Sequence, residues 1–135
     1  MMIRVYEVAD EDRVVELWRT CGLIVPWNDP KQEILRKLAV QPELFLVGVT
    51  DERIVATVMA GYDGHRGWLY SLAVTPDLQR QGLGRQIVEA AVARLTNLGC
   101  RKVNLQVRAS NTQVIDFYRK LGFEVEELIS MGKRF

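Results

Sequence analysis

Histidine and cysteine are nearly absent from this chain, whose 135 residues include one histidine, His65, and two cysteines, Cys21 and Cys100. The cysteines are isolated, without metal-ligand spacing or a histidine beside them. They read as reduced structural thiols, not as metal, redox or catalytic groups, and point to a location inside the cell. No apolar run approaches the length of a membrane span. The opening Met1-Met2-Ile3-Arg4-Val5-Tyr6-Glu7 alternates like a strand and lacks the long apolar core of a signal peptide, so the expectation is a cytoplasmic protein without a membrane partner. An excess of one charge is missing too: 18 Lys and Arg against 17 Asp and Glu give a formal net charge of +1. A nucleic-acid-binding surface is therefore not indicated, although Arg80, Arg85, Arg101 and Lys102 would form a local basic patch suited to an anion. Repeats, linkers and low-complexity segments are also lacking. With 48% hydrophobic and 26% charged residues, the expectation is one domain over residues 1–135 with a sizeable core.

What the chain does contain is an alternation of strand and helix signals. Residues 2 to 8 read as a strand, and Asp10 caps a helix through Thr20 whose apolar side is Val14, Val15, Leu17 and Trp18. Asp29-Pro30 starts a second helix, because proline is pre-set for the first helical position; it runs to Val40, and Pro42 closes it. Leu44 to Val49 and Ile54 to Tyr62 are strands joined by Thr50-Asp51-Glu52-Arg53. A strand over 68–75 is followed by a glycine loop and a long helix, with Ile87, Val88, Ala91, Val92 and Leu95 on its core face and Gly99 as its stop. A strand over 101–108, a short helix and a terminal strand pair complete the order β-α-α-β-β-β-α-β-α-β-β.

The loop Gln79-Arg80-Gln81-Gly82-Leu83-Gly84 is the most informative segment. Strand, glycine loop, helix is an anion-binding order. The glycines let the backbone approach a ligand with its N–H groups outward, and the helix N-terminus adds partial positive charge. A Walker loop would need a Gly-Lys-Ser/Thr ending, and a dinucleotide fingerprint would need a third glycine where the chain has Arg85, Gln86 and Ile87. The bland alternative is a tight turn into a helix. A second segment bears on that choice. Lys102 to Arg108 alternates, and Asn111-Thr112-Gln113-Val114-Ile115-Asp116-Phe117-Tyr118-Arg119-Lys120-Leu121-Gly122-Phe123 reads as a short helix with Asn111 as N-cap and Gly122 at its left-handed end.

A Q-x-x-G-x-G loop, a strand ending Val-Arg-Ala-Ser-Asn, and Phe-Tyr-x-x-Leu-Gly-Phe occur here in order. In these motifs the chain resembles the GNAT superfamily of acyl-CoA-dependent N-acyltransferases over nearly its whole length. The stretches Leu72–Arg85 and Leu105–Phe123 look particularly like the ribosomal-protein alanine acetyltransferase branch. Pro26-Trp27-Asn28-Asp29-Pro30 and Gly61-Tyr62-Asp63-Gly64-His65-Arg66-Gly67 look like a small bacterial subgroup, which brings no substrate with it.

The resemblance implies a mixed central sheet flanked by helices, an α/β fold in which two neighbouring parallel strands splay apart. It implies acetyl-CoA as co-substrate and no metal. The pantetheine arm would pair with the main chain of Leu72, Ala73 and Val74, recognition that tolerates a change of side chain. The amides of Arg80, Gln81, Gly82, Leu83, Gly84 and Arg85 would hold the pyrophosphate, and Asn111 would complete the cofactor site. Direct attack of an amine on the thioester needs an oxyanion donor, which the family would supply as the backbone N–H of Leu72. It also needs a proton for the leaving thiolate. Tyr118 matches the family's general acid, the alternative being that it packs with Phe117 and Phe123.

The chain departs from its relatives where the ribosomal-protein branch has a glutamate base, because Gln106 cannot accept a proton at neutral pH. That loss tilts the acceptor toward amines of low pKa, an α-amino group before a lysine. Asp63 and His65 lie in a glycine-bracketed turn that offers candidates for a substitute base, but Asp63-Gly64 is also a strong hairpin signal that would leave His65 merely exposed on the turn. Trp27, Asn28, Asp63 and His65 resemble walls of an acceptor pocket, and Trp27 reads equally as core or lid. Only twelve residues follow Phe123, which implies a short final loop and either an open acceptor groove or one completed by a second subunit of a homodimer. The contrasting function is an acyl-CoA-binding sensor module without transfer: Gln106 favours it, and Tyr118 and the lack of an attached regulatory segment oppose it.

Overall fold

The computed structural model describes residues 1–135. Packing divides the chain into two compact units, Met1–Leu105 and Gln106–Phe135.

The first unit is a five-stranded sheet with strand order β1-β2-β3-β4-β5, formed by β1 (Met2–Val5), β2 (Phe45–Thr50), β3 (Arg53–Tyr62), β4 (Gly67–Val74) and β5 (Val103–Leu105). Its pairs are antiparallel except β4 with β5, which run parallel because helix α3 (Leu83–Asn97) carries the chain across. The β2–β3 hairpin turns on Asp51 and Glu52, both at positive φ (51° and 62°), as a two-residue loop matched to strand twist requires. Strand β1 stops at Val5, short of the expected residue 8. Asp10 pulls the chain round: its carboxylate accepts from Arg4 Nη1 and Nη2 (2.7 and 2.9 Å) and from the Glu7 amide (2.8 Å), so Val8–Asp10 becomes a 3-10 turn leading into α1 (Glu11–Thr20).

On one face of the sheet, Val14, Val15, Leu17 and Trp18 of α1 and Ile34 of α2 (Pro30–Leu38) pack with Tyr6, Phe45, Val47, Met59 and Ala73. Tyr6 stacks on Phe45 with ring centroids 4.4 Å apart. Asp29 caps α2 through its Oδ1, which accepts from the Lys31 amide at 2.9 Å, and Pro30 fills the first turn as its spacing predicts. Helix α3 buries Ile87, Val88, Ala91 and Leu95 on β3 and β4. A Cβ at Gly67 would lie 3.0 Å from Leu95 of α3, whereas Lys37 of α2 sits over the Tyr70 ring, so the helices occupy opposite faces.

The second unit holds α4 (Thr112–Lys120), started by Asn111, whose Oδ1 accepts from the Val114 amide. Phe117, Tyr118 and Phe123 form edge-to-face ring pairs at 5.0 and 5.4 Å. Two expectations fail here. The strand expected to reach residue 108 ends at Leu105, and the pair of strands expected after Phe123 does not form. Val125, Leu128, Ile129 and Met131 remain exposed, so this segment gains neither the burial nor the ladder that stabilises a strand. Elsewhere the observed order follows the expected α/β arrangement.

Two interactions predict measurable stability changes. Thr57 is fully buried; it accepts from Trp18 Nε1 (2.9 Å) and donates to the Ser71 carbonyl (3.0 Å). Thr57→Val keeps the shape and strands both partners, so it should lower unfolding free energy by about 1–3 kcal/mol in urea titrations. Asp10 is held below its ordinary pKa, chiefly by hydrogen bonding from Arg4. A depressed folded-state pKa contributes stability above the unfolded value near 3.9 that is lost as pH falls through the folded one. Asp10→Asn should therefore destabilise at pH 7, and the gap to the parent should narrow as the pH is taken well below about 4.

Candidate active site

The site is built around an irregularity in β4. Residues Met59 and Tyr70 are partners in the β3–β4 ladder, and so are Thr57 and Ala73, so Val58 faces the two residues Ser71 and Leu72. This is a β-bulge. Ser71 takes φ +54°, a left-handed conformation that costs a non-glycine residue about 1–3 kcal/mol and must be held by its surroundings. The Trp18–Thr57–Ser71 hydrogen-bond chain supplies that hold. The bulge also resets strand parity. Tyr70 faces α2, and Ala73, three residues on, lies against Trp18 in the core on that same side, where regular alternation would turn it away.

At the same place the sheet opens. The β4–β5 pairing runs Gly67↔Val103, Trp68↔Asn104 and Leu69↔Leu105, and stops, while β4 continues to Val74. Tyr70 to Val74 thus have β3 on one edge and no β5 ladder on the other, the splay that the sequence resemblance implied. The end of the opened stretch is closed by the chain itself. The Val74 carbonyl accepts from Cys21 Sγ (3.3 Å) and from Gln79 Nε2 (2.9 Å), and burial raises the Cys21 thiol pKa. Of the three residues expected to offer main chain to a ligand, Leu72 and Ala73 lie in the open stretch, and Val74 already has its carbonyl occupied.

Beyond Val74 the glycine loop leads into α3. Arg80 (φ +64°) and Gly82 (φ +85°) both adopt left-handed backbone, and Gly82 is the N-cap of α3. No side chain caps this helix, whose first intrahelical bond is Gln86 N–H to the Gly82 carbonyl at 3.1 Å. The amides of Leu83, Gly84 and Arg85 therefore stand ahead of the helical ladder, as orphan donors at the positive end of a fifteen-residue dipole. A Cβ built on Gly82 meets nothing within 4 Å, so the space in front of the loop is open. Arg85 is paired with Glu89 at 2.8 Å, both well exposed, an ion pair that costs little to rearrange. These features fit an anionic phosphate group.

A cavity of about 230 Å³ lies on the other side of the bulge, lined by Trp18, Leu23, Ile24, Asn28, Pro30, Glu33, Tyr70 and Ser71. Of the anticipated acceptor residues only Asn28 lines it. Trp27 is exposed. Asp63 and His65 lie in the β3–β4 turn, where the Asp63 carboxylate accepts from the His65 and Arg66 amides at 2.7 Å each; these bonds hold its pKa below the ordinary value. Glu33, Tyr70 and Ser71 are functional-site candidates the sequence reading missed. Serine inside an apolar strand was the available signal for Ser71, whereas nothing local marks Glu33.

In the second unit Tyr118 is buried between Phe117 and Phe123, and burial pushes its hydroxyl pKa up to about 12. The side chain of Gln106 is exposed and donates a short hydrogen bond to Ser130 Oγ. No helix in the structure is long and apolar enough to cross a membrane.

Comparison with known proteins agrees with this geometry. The Acetyltransferase (GNAT) family model matches residues 6–123. An acetyltransferase of Yersinia enterocolitica is 45% identical over 134 residues, covering 99% of this chain and 95% of its own. Among solved structures, the ribosomal-protein-S18-alanine N-acetyltransferase of Escherichia coli superposes with a TM-score of 0.75 at 28% identity, over 91% of this chain and 77% of that one. An aminoglycoside 6′-N-acetyltransferase of Acinetobacter haemolyticus shares the fold, with a TM-score of 0.80 at 20% identity over 100% and 99% of the two chains. With the splayed β4, the bulge and the uncapped helix following a Q-x-x-G-x-G loop, these matches make the chain a member of the GNAT family, an acetyl-CoA-dependent acetyltransferase.

Proposed function

We propose that this acetyltransferase passes the acetyl group of acetyl-CoA directly to a primary amine while both substrates are bound, and that its acceptor is a low-pKa amine such as an α-amino group. The observation that carries this reading is the bulge at Ser71–Leu72, set where β4 loses its neighbour. A strand opened there can receive an extended arm by main-chain pairing, and the bulge interrupts the β3 ladder at Ser71 and Leu72.

Acetyl-CoA brings an activated thioester carbonyl. Leu72 N–H is assigned to the negative charge that develops on the carbonyl oxygen, a donor whose removal typically costs about 10²- to 10³-fold in rate. Leu72 and Ala73 orient the arm. The amides of Leu83, Gly84 and Arg85, with those of Arg80, Gln81 and Gly82, take the pyrophosphate, and Arg80 adds full charge. Asn111 spends its oxygen on the α4 cap, so its amide nitrogen is the group assigned to the cofactor.

Tyr118 is assigned as the acid that returns a proton to the departing sulfur. Its raised pKa keeps it fully protonated at neutral pH. The same burial that raises a phenol also raises a thiol brought beside it, so the two remain closer than the solution value of about 8.5 for a thiol would indicate. For the amine proton the chain offers glutamine at position 106. A lysine amine of pKa about 10.4 is only about 0.1% neutral near pH 7.4, whereas an α-amino group of pKa about 7.7–8.0 is tens of per cent neutral and reacts without a strong base. The Escherichia coli relative, by its name an alanine N-acetyltransferase, supports the same direction.

The acyl-CoA sensor remains the second reading, favoured by Gln106 alone. Thiol release from acetyl-CoA, followed against α-amino peptides, lysine peptides and small amines, separates the two, since a sensor binds CoA without turnover across the panel. Tyr118→Phe should lower kcat by about 10²-fold or more with little change in the KM for acetyl-CoA. Gln106→Glu should raise kcat/KM for lysine peptides more than for α-amino peptides, because a restored base helps most where the amine is least deprotonated. Equal gains on both would argue against the assignment of acceptor class.

A further inference from the structure

The cavity beside the bulge has a composition of its own. Its walls carry a single carboxylate, Glu33, two aromatic rings, Trp18 and Tyr70, and an apolar rim from Leu23, Ile24 and Pro30. Trp18 has its indole N–H committed to Thr57, and so presents its ring to the cavity. Tyr70 is held from beneath by Lys37, whose Nζ lies 5.9 Å from the ring centroid and donates to the Ala60 carbonyl. Lys37 stands one turn after Glu33 on α2 but sends its ammonium inward to that carbonyl, so it does not neutralise Glu33. The group that does pair with Glu33 is Arg36, at 3.0 Å, and it is 63% exposed. That pairing is weak and readily exchanged in water. The negative charge of Glu33 also reaches the Tyr70 hydroxyl, where it adds to burial in raising the pKa.

We propose that this cavity is the acceptor site, and that Glu33 is the residue that recognises the acceptor as a compact cationic primary amine carried on a short apolar body. The proposal rests on the amine-transfer reading above. A carboxylate with aromatic faces beside it matches an ammonium group, and Leu23, Ile24 and Pro30 match a small aliphatic substituent. At about 230 Å³ the cavity is smaller than the roughly 300–1,000 Å³ pockets that take drug-sized molecules, and so suits one residue of a peptide better than a multi-ring amino sugar. Ser71 lines the same cavity as Glu33 and is adjacent in sequence to Leu72, so an amine gathered there lies on the bulge that carries the proposed oxyanion donor. Glu33 binds the ammonium form; the proton is then lost to solvent, which an amine of pKa about 7.7–8.0 allows near neutral pH, and the neutral amine is the nucleophile, so Glu33 positions the substrate without acting as its base.

The test compares alaninamide with lactamide, its uncharged hydroxyl counterpart, and with a bulky amino sugar. Acetyl transfer is read by thiol release, and binding by calorimetry with CoA present. Wild-type protein should use alaninamide and exclude the amino sugar. It should bind alaninamide at least about tenfold more tightly than lactamide, since a hydrogen bond to a charged group corresponds to roughly ten- to a hundredfold. In Glu33→Gln that preference should disappear and the alaninamide KM should rise by the same factor, with the KM for acetyl-CoA unchanged. Arg36→Gln removes the same helix-surface ion pair but keeps the carboxylate, and should not raise the alaninamide KM. If Glu33→Gln retains the charge preference and the KM, or if Arg36→Gln reproduces its effect, the assignment of Glu33 is overturned while amine transfer stands. Failure of wild-type protein to acetylate any amine would instead overturn the transfer reading itself, and absence of any alaninamide preference in its binding would overturn the role of the cavity.

Discussion

The hydrogen-bond chain from the Trp18 indole through the Thr57 hydroxyl to the Ser71 carbonyl is the constraint on which the site depends. It joins α1, β3 and β4 at one buried point. A serine at φ +54° has no intrinsic reason to stay there, and each polar group along the chain would be costly to bury without its partner. Together they fix two residues of β4 opposite one of β3. The strand parity that follows lets Tyr70 and Ala73 share a face.

From that point the two halves of the site diverge. Toward the cofactor side, β4 runs on without β5 and ends at a helix whose first amides have no side-chain cap, an arrangement complementary to an extended polar arm with phosphate at its end. Toward the other side lies a small aromatic and apolar cavity with one carboxylate. Their charge differs: orphan amides stand at one end, and Glu33, ion-paired with the exposed Arg36, at the other.

The second unit has a chemistry of its own. Tyr118 is buried in an aromatic cluster, and burial raises its pKa to about 12, so its hydroxyl is protonated at neutral pH. Gln106 is neutral and bonded to Ser130. Neither residue is a base at neutral pH, which under the proposed function leaves the ionisation state of the acceptor itself to govern its reactivity.

Much of this was legible in the sequence because it is local. The apolar spacing of Val14, Leu17 and Trp18, the Asp29-Pro30 start, the Asn111 cap and the Gly82 loop act within a few residues, where period and capping chemistry decide the conformation. Element order, the anion-binding helix start and the family resemblance follow from those signals alone. What the sequence could not contain is anything that needs two distant segments to meet. The bulge depends on Thr57 and Trp18, which are 39 positions apart. Closure of the Val74 carbonyl by Cys21 spans 53 positions, and the placing of Glu33 beside Tyr70 follows from α2 packing over β4. The early end of β5 and the missing terminal strands belong to the same class, since a strand forms only where a neighbouring edge and a buried face receive it. Local propensity therefore determined the elements and the glycine loop, and tertiary packing decided the bulge, the splay and the residues that meet across the cavity.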